Sequence, residues 1–225
     1  SGLGLGPSLV LLLVDYTKIL HNGTNALIAQ ARERQKALRF TDAESIDKSR
    51  TYEAMVMAFE AMNILAGRYS KLAAEMAEAE SGPVRKAELQ TISETCARVP
   101  MEPPRTFREA IQCFWFQFLM LSPSTTLPGG RFDQYMYPYY AADLEAGRIT
   151  REEAVELLCC MRLKDMELNR TSGKNNRKKN AGFAKWHNFI IGGVKPDGTD
   201  ATNELSYMVL DAALITRTPP HTPTP

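Results

Sequence analysis

The sequence predicts a mostly α-helical chain that runs, late, into a sheet or barrel. An apolar stripe from Tyr52 to Ala79 keeps the helical period over many turns. Two capping-box signatures, Thr106 with Glu109 and Thr150 with Glu153, each precede an apolar run. The short, β-branched, glycine-bounded string "HNFIIGGV" (187–194) is the first clear strand, and it comes only after a succession of helical segments.

Taken in order, Asp15 to Leu38 carries Tyr16, Ile19, Leu20, Leu27 and Ile28 at helical spacing, with Gly23 as its weak point. The polar stretch "RFTDAESIDKSR" is expected to separate it from a second helix. That helix has the stripe Tyr52, Met55, Val56, Phe59, Met62, Leu65, Ala66, Tyr69, Leu72 and Met76. "SGP" (81–83) ends it and starts a short helix that closes before "VPMEPPR". "AIQCFWFQFLML" is apolar almost all round, which predicts a buried helix. "PDG" (196–198) reads as a turn, and Asp200 as the cap of a last helix with Leu205, Met208, Val209 and Ala212 inside.

Composition excludes several function classes. Hydrophobic residues make up 44% and charged residues 24% of 225, and the net charge of +1 points to neither nucleic acid nor a membrane surface. The apolar run Leu9 to Val14 is far short of a membrane span and lacks a signal peptide's basic leader. The four cysteines form no CxxC, and His21, His187 and His221 lie far apart, so no metal site of the usual local kind is expected. A reducing cytoplasm fits this cysteine usage. The stretch 1–14 and the closing proline run both look atypical for a domain boundary, and the expectation is a piece of something longer.

Candidate chemistry centres on "PGGRFDQYMYPYY" (128–140). Tyr135, Tyr137, Tyr139 and Tyr140 read either as interior packing with hydroxyls at a rim or as the lining of a cavity. Arg131 and Asp133 are expected to pair with each other or with backbone. Cys159–Cys160 reads as small buried hydrophobes rather than a redox pair, because vicinal cysteines in a helix strain a mutual disulfide. Arg170, Lys174, Arg177, Lys178 and Lys179 form either a solvated connection or a phosphate grip. No nucleophile, base and orienter come together in sequence.

Three strings carry a resemblance. "GRFDQYMYPYYAADLEAGRITREEAVELL" (130–158), "RKAELQTISETCARVPMEPPRTFREAIQCFWFQFLML" (85–121) and "GGVKPDGTDATNELSYMVLDAA" (192–213) resemble, in order and spacing, the pyruvate formate-lyase region of glycyl radical enzymes. The resemblance implies an α/β parent fold: a ten-stranded barrel of two antiparallel half-barrels wrapped by helices. This chain would supply mostly helix, with one or two strands near 186–194 and the C-terminus. Residues 15–218 would then be part of that domain, with 1–14 and 219–225 as atypical ends.

The resemblance also implies a function. A backbone glycyl radical, installed by an S-adenosylmethionine/iron–sulfur activating enzyme, passes to a cysteine, and the thiyl opens a C–C or C–heteroatom bond of a small organic acid or alcohol. Formate acetyltransferase-like, arylacetate decarboxylase-like and sulfonate lyase-like members are the models. A homodimer is allowed by the resemblance. None of the four cysteines sits in the family's Gly–Cys motif. Gly67 in "LAGRYSK" reads as an ordinary helix glycine rather than a radical site. No catalytic residue is therefore expected within the chain, which by itself should be inactive. The cavity candidates are Ser124, Thr125, Thr126, Arg131, Asp133, Tyr135 and His187. The loop "LSPSTTLPG" (121–129) lacks the histidine of diol-cleaving relatives, whereas "AKWHNFIIGGV" (184–194) is closer to decarboxylase and sulfonate-lyase members. The competing reading is a catalytically empty helical module that binds or regulates.

Overall fold

Gly23 decides the shape of the first helix. In the computed structural model, which describes residues 14–39, 41, 43–121, 128–168 and 188–217, α1 (Tyr16–Lys36) is interrupted there at φ 70° and ψ 162°. The two amides freed by the break are taken by carbonyls of another segment: Thr24 N donates to Pro100 O at 2.8 Å and Asn25 N to Met101 O at 3.1 Å. The Thr24 hydroxyl, wholly buried, donates to Asn63 Oδ1 at 2.5 Å. Only glycine fits the break, since a Cβ would lie 2.4 Å from Met101 O and the φ is left-handed.

The second helix begins earlier than expected. α2 spans Ala43–Ala79, so most of the polar stretch read as a connection is helical. Its polarity is that of a solvated helix face: Lys48 pairs with Glu44 at 3.0 Å, and the Thr51 hydroxyl folds back onto Asp47 O at 2.8 Å. The predicted stripe is only partly buried. Val56, Met62 and Ala66 are inside, whereas Met55, Tyr69, Leu72 and Met76 are about half exposed. Ala73 and Ala77, outside the predicted stripe, are buried as well, and these small side chains lie on a helix that packs along α3 (Pro83–Arg98). Ser93 Oγ donates across that contact to Ser70 O at 2.9 Å. Toward its start α2 packs on α1 through Ile28, Ala31 and Val56, with Tyr52 and Phe59 against them. α3 opens with Pro83 in its first turn, as "SGP" predicts.

α4 (Phe107–Leu121) is the buried helix expected, with Phe107, Ala110, Cys113 and Phe114 fully inside. Its capping box is displaced by one residue. Glu109 N donates to Thr106 Oγ1 as predicted, but the Glu109 carboxylate accepts from Arg105 N at 2.7 Å and from the Arg105 guanidinium at 2.6 Å. Burial raises the Glu109 carboxyl, yet the hydrogen bonds and charges of Arg105 and Arg98 outweigh it and leave the group below its ordinary range.

The chain divides into two compact units, one being Tyr16–Phe116 and the other taking the residues from Gln117 onward together with those before Tyr16. The second holds β1 (Gly130–Arg131), α5 (Phe132–Glu145), α6 (Arg151–Glu167), β2 (Phe189–Ile190) and α7 (Glu204–Thr216). β1 and β2 are parallel, with Gly130 opposite Phe189 and Arg131 opposite Ile190. The strand at 130–131 was not expected, and of the described residues of "HNFIIGGV" Phe189 and Ile190 enter the ladder. Past β2, Val194 and Asp200 form an antiparallel bridge around the expected turn, with Gly198 N donating to Lys195 O at 2.9 Å.

The Thr150–Glu153 box at the start of α6 is complete. Asp200, by contrast, does not cap α7. Asn203 and Ser206 form a reciprocal box there, while Asp200 accepts from Thr202 N and Oγ1 in a local turn. The predicted inner face of α7 is buried as expected and packs on α6. Of the vicinal cysteines, Cys159 is half-buried with its thiol toward Ala212 O at 3.9 Å, but Cys160 is exposed, because neighbours on a helix point to different faces. The cluster Arg170 to Lys179 and the expected C-terminal strand lie outside the described residues. No described helix is long and apolar enough to cross a membrane.

Candidate functional site

The string "GRFDQY" (130–135) forms a clamp in which successive polar side chains each hold main chain. β1 ends at Arg131, and the chain turns at once into α5. Arg131 Nη2 donates to Gly192 O at 2.9 Å, and Gly192 N donates to Asp133 Oδ2 at 2.6 Å, so the two side chains hold the two consecutive peptide units that meet at Gly192. Gln134 Nε2 reaches Ala201 O at 2.8 Å and Tyr135 Oη reaches Gly129 O at 2.5 Å. Asp133 is wholly buried and accepts a second bond from Ser206 Oγ, 2.5 Å away on α7. Ser206 Oγ in turn accepts from Asn203 N at 3.1 Å.

Two glycine approaches make the clamp possible. A Cβ on Gly129 would sit 2.5 Å from the ring of Phe189, and that ring lies edge-on to Phe132 with centroids 5.3 Å apart. Gly192 has φ +66°, a left-handed conformation that presents its N–H to Asp133. Arg131 and Asp133, expected to pair with each other or with backbone, thus meet at backbone. The tyrosines divide. Tyr140 is fully buried, and burial, with Glu204's charge added, pushes its hydroxyl up to about 12, whereas Tyr135, Tyr137 and Tyr139 are half-buried.

Two concavities adjoin these elements. A recess of about 260 Å³ is lined by Ile191, Gly192, Gly193, Thr202, Ser206, Tyr207 and Leu210. Two of its hydroxyls are already engaged, Ser206 with Asp133 and Thr202 with Asp200. An open groove of about 630 Å³ runs along α6 and α7 past Val155, Cys159, Leu214 and Ile215, with Arg151 bridging to Asp211 at 2.5 Å. Burial raises the Cys159 thiol above its ordinary range, with Cys160 contributing, so at neutral pH it is held as the weakly nucleophilic thiol. Among the described residues no group of three or more His, Cys, Asp or Glu could hold a metal ion. The polar side chains of the clamp hold main chain.

Ser124, Thr125, Thr126 and His187 lie outside the described residues. Arg131, Asp133 and Tyr135 are brought together, with Gln134 between them. Sequence reasoning missed Gly192, Asn203 and Ser206 as their partners. The Asn-x-x-Ser spacing before an apolar run was the available signal for the last two.

A parallel strand pair, pinned by the helix that follows its first strand and flanked by packed helices, defines a helix-wrapped α/β protein. More particularly, the chain belongs to the Pyruvate formate lyase-like family, whose model matches residues 11–223. The chain is 41% identical over 206 residues to the isethionate sulfite-lyase of Oleidesulfovibrio alaskensis, covering 87% of this chain and 24% of that protein. It superposes with a TM-score of 0.89 and 37% identity on the structure reported for 1,2-propanediol dehydration in Roseburia inulinivorans, covering 94% of this chain and 27% of the other. A glycyl radical enzyme from Archaeoglobus fulgidus gives a TM-score of 0.86 at 34% identity, covering 94% and 28%. The chain spans about a quarter of the length of the curated relatives it matches. Its fold is that of the corresponding part of these structures, mostly helical with two parallel strands.

Proposed function

We propose that this chain is part of the wall of a glycyl radical enzyme that cleaves a C–C or C–heteroatom bond of a small organic acid or alcohol. The observation that carries the reading is the 41% identity to an isethionate sulfite-lyase over 206 residues. That similarity favours a sulfonate lyase-like activity over the formate acetyltransferase-like and arylacetate decarboxylase-like alternatives. When present, the glycyl radical supplies a cysteine thiyl that abstracts a hydrogen atom from the substrate. The Gly–Cys loop and the radical-glycine string would come from sequence beyond these 225 residues, and a separate S-adenosylmethionine/iron–sulfur enzyme would install the radical. The setting would be cytoplasmic and anaerobic, and a homodimer is compatible with it.

The work of this chain's residues is to shape and seal. Radical intermediates are quenched by water-borne reductants and oxygen, so the chemistry needs a dry, closed cavity. Arg131, Asp133 and Tyr135 would hold the wall, because their polar atoms are bonded to main chain. Ser124, Thr125, Thr126 and His187 would offer hydroxyls and an imidazole to the substrate. The test is to read the gene past Pro225, co-express the longer product with an activating enzyme without oxygen, and record its electron paramagnetic resonance and sulfite release from isethionate. A doublet radical signal with sulfite release supports the proposal. A longer reading frame without the Gly–Cys and radical-glycine strings overturns it.

A further inference from the structure

The break in α1 also sets the chemistry of a labile bond. Asn22–Gly23 is the chain's one Asn–Gly step. At such a step the glycine nitrogen can lose its proton and attack the asparagine side-chain carbonyl carbon. A nitrogen–carbon bond closes a succinimide ring, the side-chain carbon–nitrogen bond breaks, and the amide leaves as ammonia. Water then opens the ring at either carbonyl to give aspartate or isoaspartate. The reaction needs only water and no oxidant. Glycine favours it because no Cβ shields the attacking nitrogen.

Asn22 is exposed, so water reaches it, but the native fold holds its amide away from Gly23. Asn22 Nδ2 donates to Lys18 O at 2.7 Å, one turn back along the helix, the direction in which helical side chains lean. The next peptide units are anchored from the other side, with Thr24 and Asn25 donating to Pro100 O and Met101 O and the Thr24 hydroxyl to Asn63. The chain's one Asp–Gly step is tied differently. Gly198 N is already spent on Lys195 O, and Asp197 Oδ1 accepts from Thr199 N at 3.0 Å and from Thr199 Oγ1 at 2.7 Å.

We infer that Asn22–Gly23 is a deamidation site kept shut by the hinge, so that the rate of conversion reports the fraction of α1 that is open and, through isoaspartate, conversion prevents its closure. Isoaspartate routes the main chain through an additional methylene immediately before Gly23. The seat around Gly23 has no room for it, with Met101 O and Glu102 backbone atoms already 2.4–2.9 Å from where a Cβ would stand. Aspartate at the same exposed position lengthens nothing. The inference is independent of the enzymatic reading.

The test is peptide mapping of the whole 225-residue chain, incubated at neutral pH in buffer and in urea, with an isoaspartyl methyltransferase assay on the products. The chain in urea is expected to convert at Asn22 at least several-fold faster than the native chain, since the native rate is scaled by the fraction open. Thr24→Val should raise the native rate several-fold and leave the rate in urea unchanged. Asn63→Ala, which removes the acceptor of the Thr24 hydroxyl, should do the same if Thr24→Val does not fold. Isoaspartate-containing chain should lose hydrogen-exchange protection at Thr24 and Asn25, whereas Asn22→Asp should keep it. Equal rates in buffer and urea, or protection retained with isoaspartate in place, would overturn the inference.

Discussion

Replacing Asp133 is the most informative perturbation of the clamp. Its carboxylate oxygen Oδ2 receives Gly192 N at 2.6 Å and Ser206 Oγ at 2.5 Å, and the residue is wholly buried. Hydrogen bonds to a charged group contribute about 1.5–3 kcal/mol each, so Asp133→Ala, which strands both donors away from water, should cost about 3–6 kcal/mol. Asp133→Asn, with its amide oxygen in the place of Oδ2, keeps both bonds but makes the acceptor neutral, and should cost less, about 1–3 kcal/mol. Against a total domain stability of about 5–15 kcal/mol, the alanine variant would leave the second unit marginal. Urea titration followed by circular dichroism measures both, and Ser206→Ala in each background gives the coupling. Since Ser206 and Asp133 share a bond, the serine change should cost less once Asp133 is gone. A cost below about 1 kcal/mol for Asp133→Ala, or strict additivity with Ser206→Ala, would refute the reasoning.

Other outcomes follow from separate contacts. Gly129→Ala drives a methyl to 2.5 Å from the Phe189 ring and should destabilise by about 1–3 kcal/mol, read as a lowered thermal midpoint. Asn203→Ala should cost about 1 kcal/mol as a lost cap on α7, whereas Asp200→Ala should not shorten the helix; amide exchange in its first turn separates the two. In alkali the first unit should lose stability. Cys96 is pushed up to about 11 by burial, and Tyr16 is raised for the same reason. Each is neutral when protonated, and the unfolded chain releases the proton first. Their contribution is therefore complete below the unfolded thiol value near 9.0 and falls by about 1.4 kcal/mol per pH unit per group as pH climbs through the folded values. Urea midpoints taken between neutral pH and pH 11 would check this; a flat profile contradicts it.

Much of the helical frame was legible because its signals are local. The box at Thr150 and Glu153, the Pro83 start and the apolar face of α7 depend on residues within a turn or two of one another. The readings that failed depend on partners distant in sequence. Nothing near Arg131 announces that its backbone will pair with Ile190 and make 130–131 a strand, or that its side chain will reach a carbonyl 61 residues away. The early start of α2 was hidden because an exposed helix and a connection are both polar. The displaced box at Thr106 turned on Arg105, whose charge draws Glu109 one residue further back. Of the candidate site, the residue types were legible, but their use as main-chain grips required the coordinates of Gly192 and Ser206.

The ladder between Gly130–Arg131 and Phe189–Ile190 has one further consequence. Strands aligned in one direction normally belong to sheets covered on both faces, and a lone pair is marginal by itself. Among the described residues neither strand has a neighbour on its outer side. A flank without a neighbour presents donors and acceptors in register for lateral zippering, and an extended segment that arrives there, native or foreign, finds a template ready. Such a pair is a growth point, and how the flanks become occupied decides between assembly and aggregation.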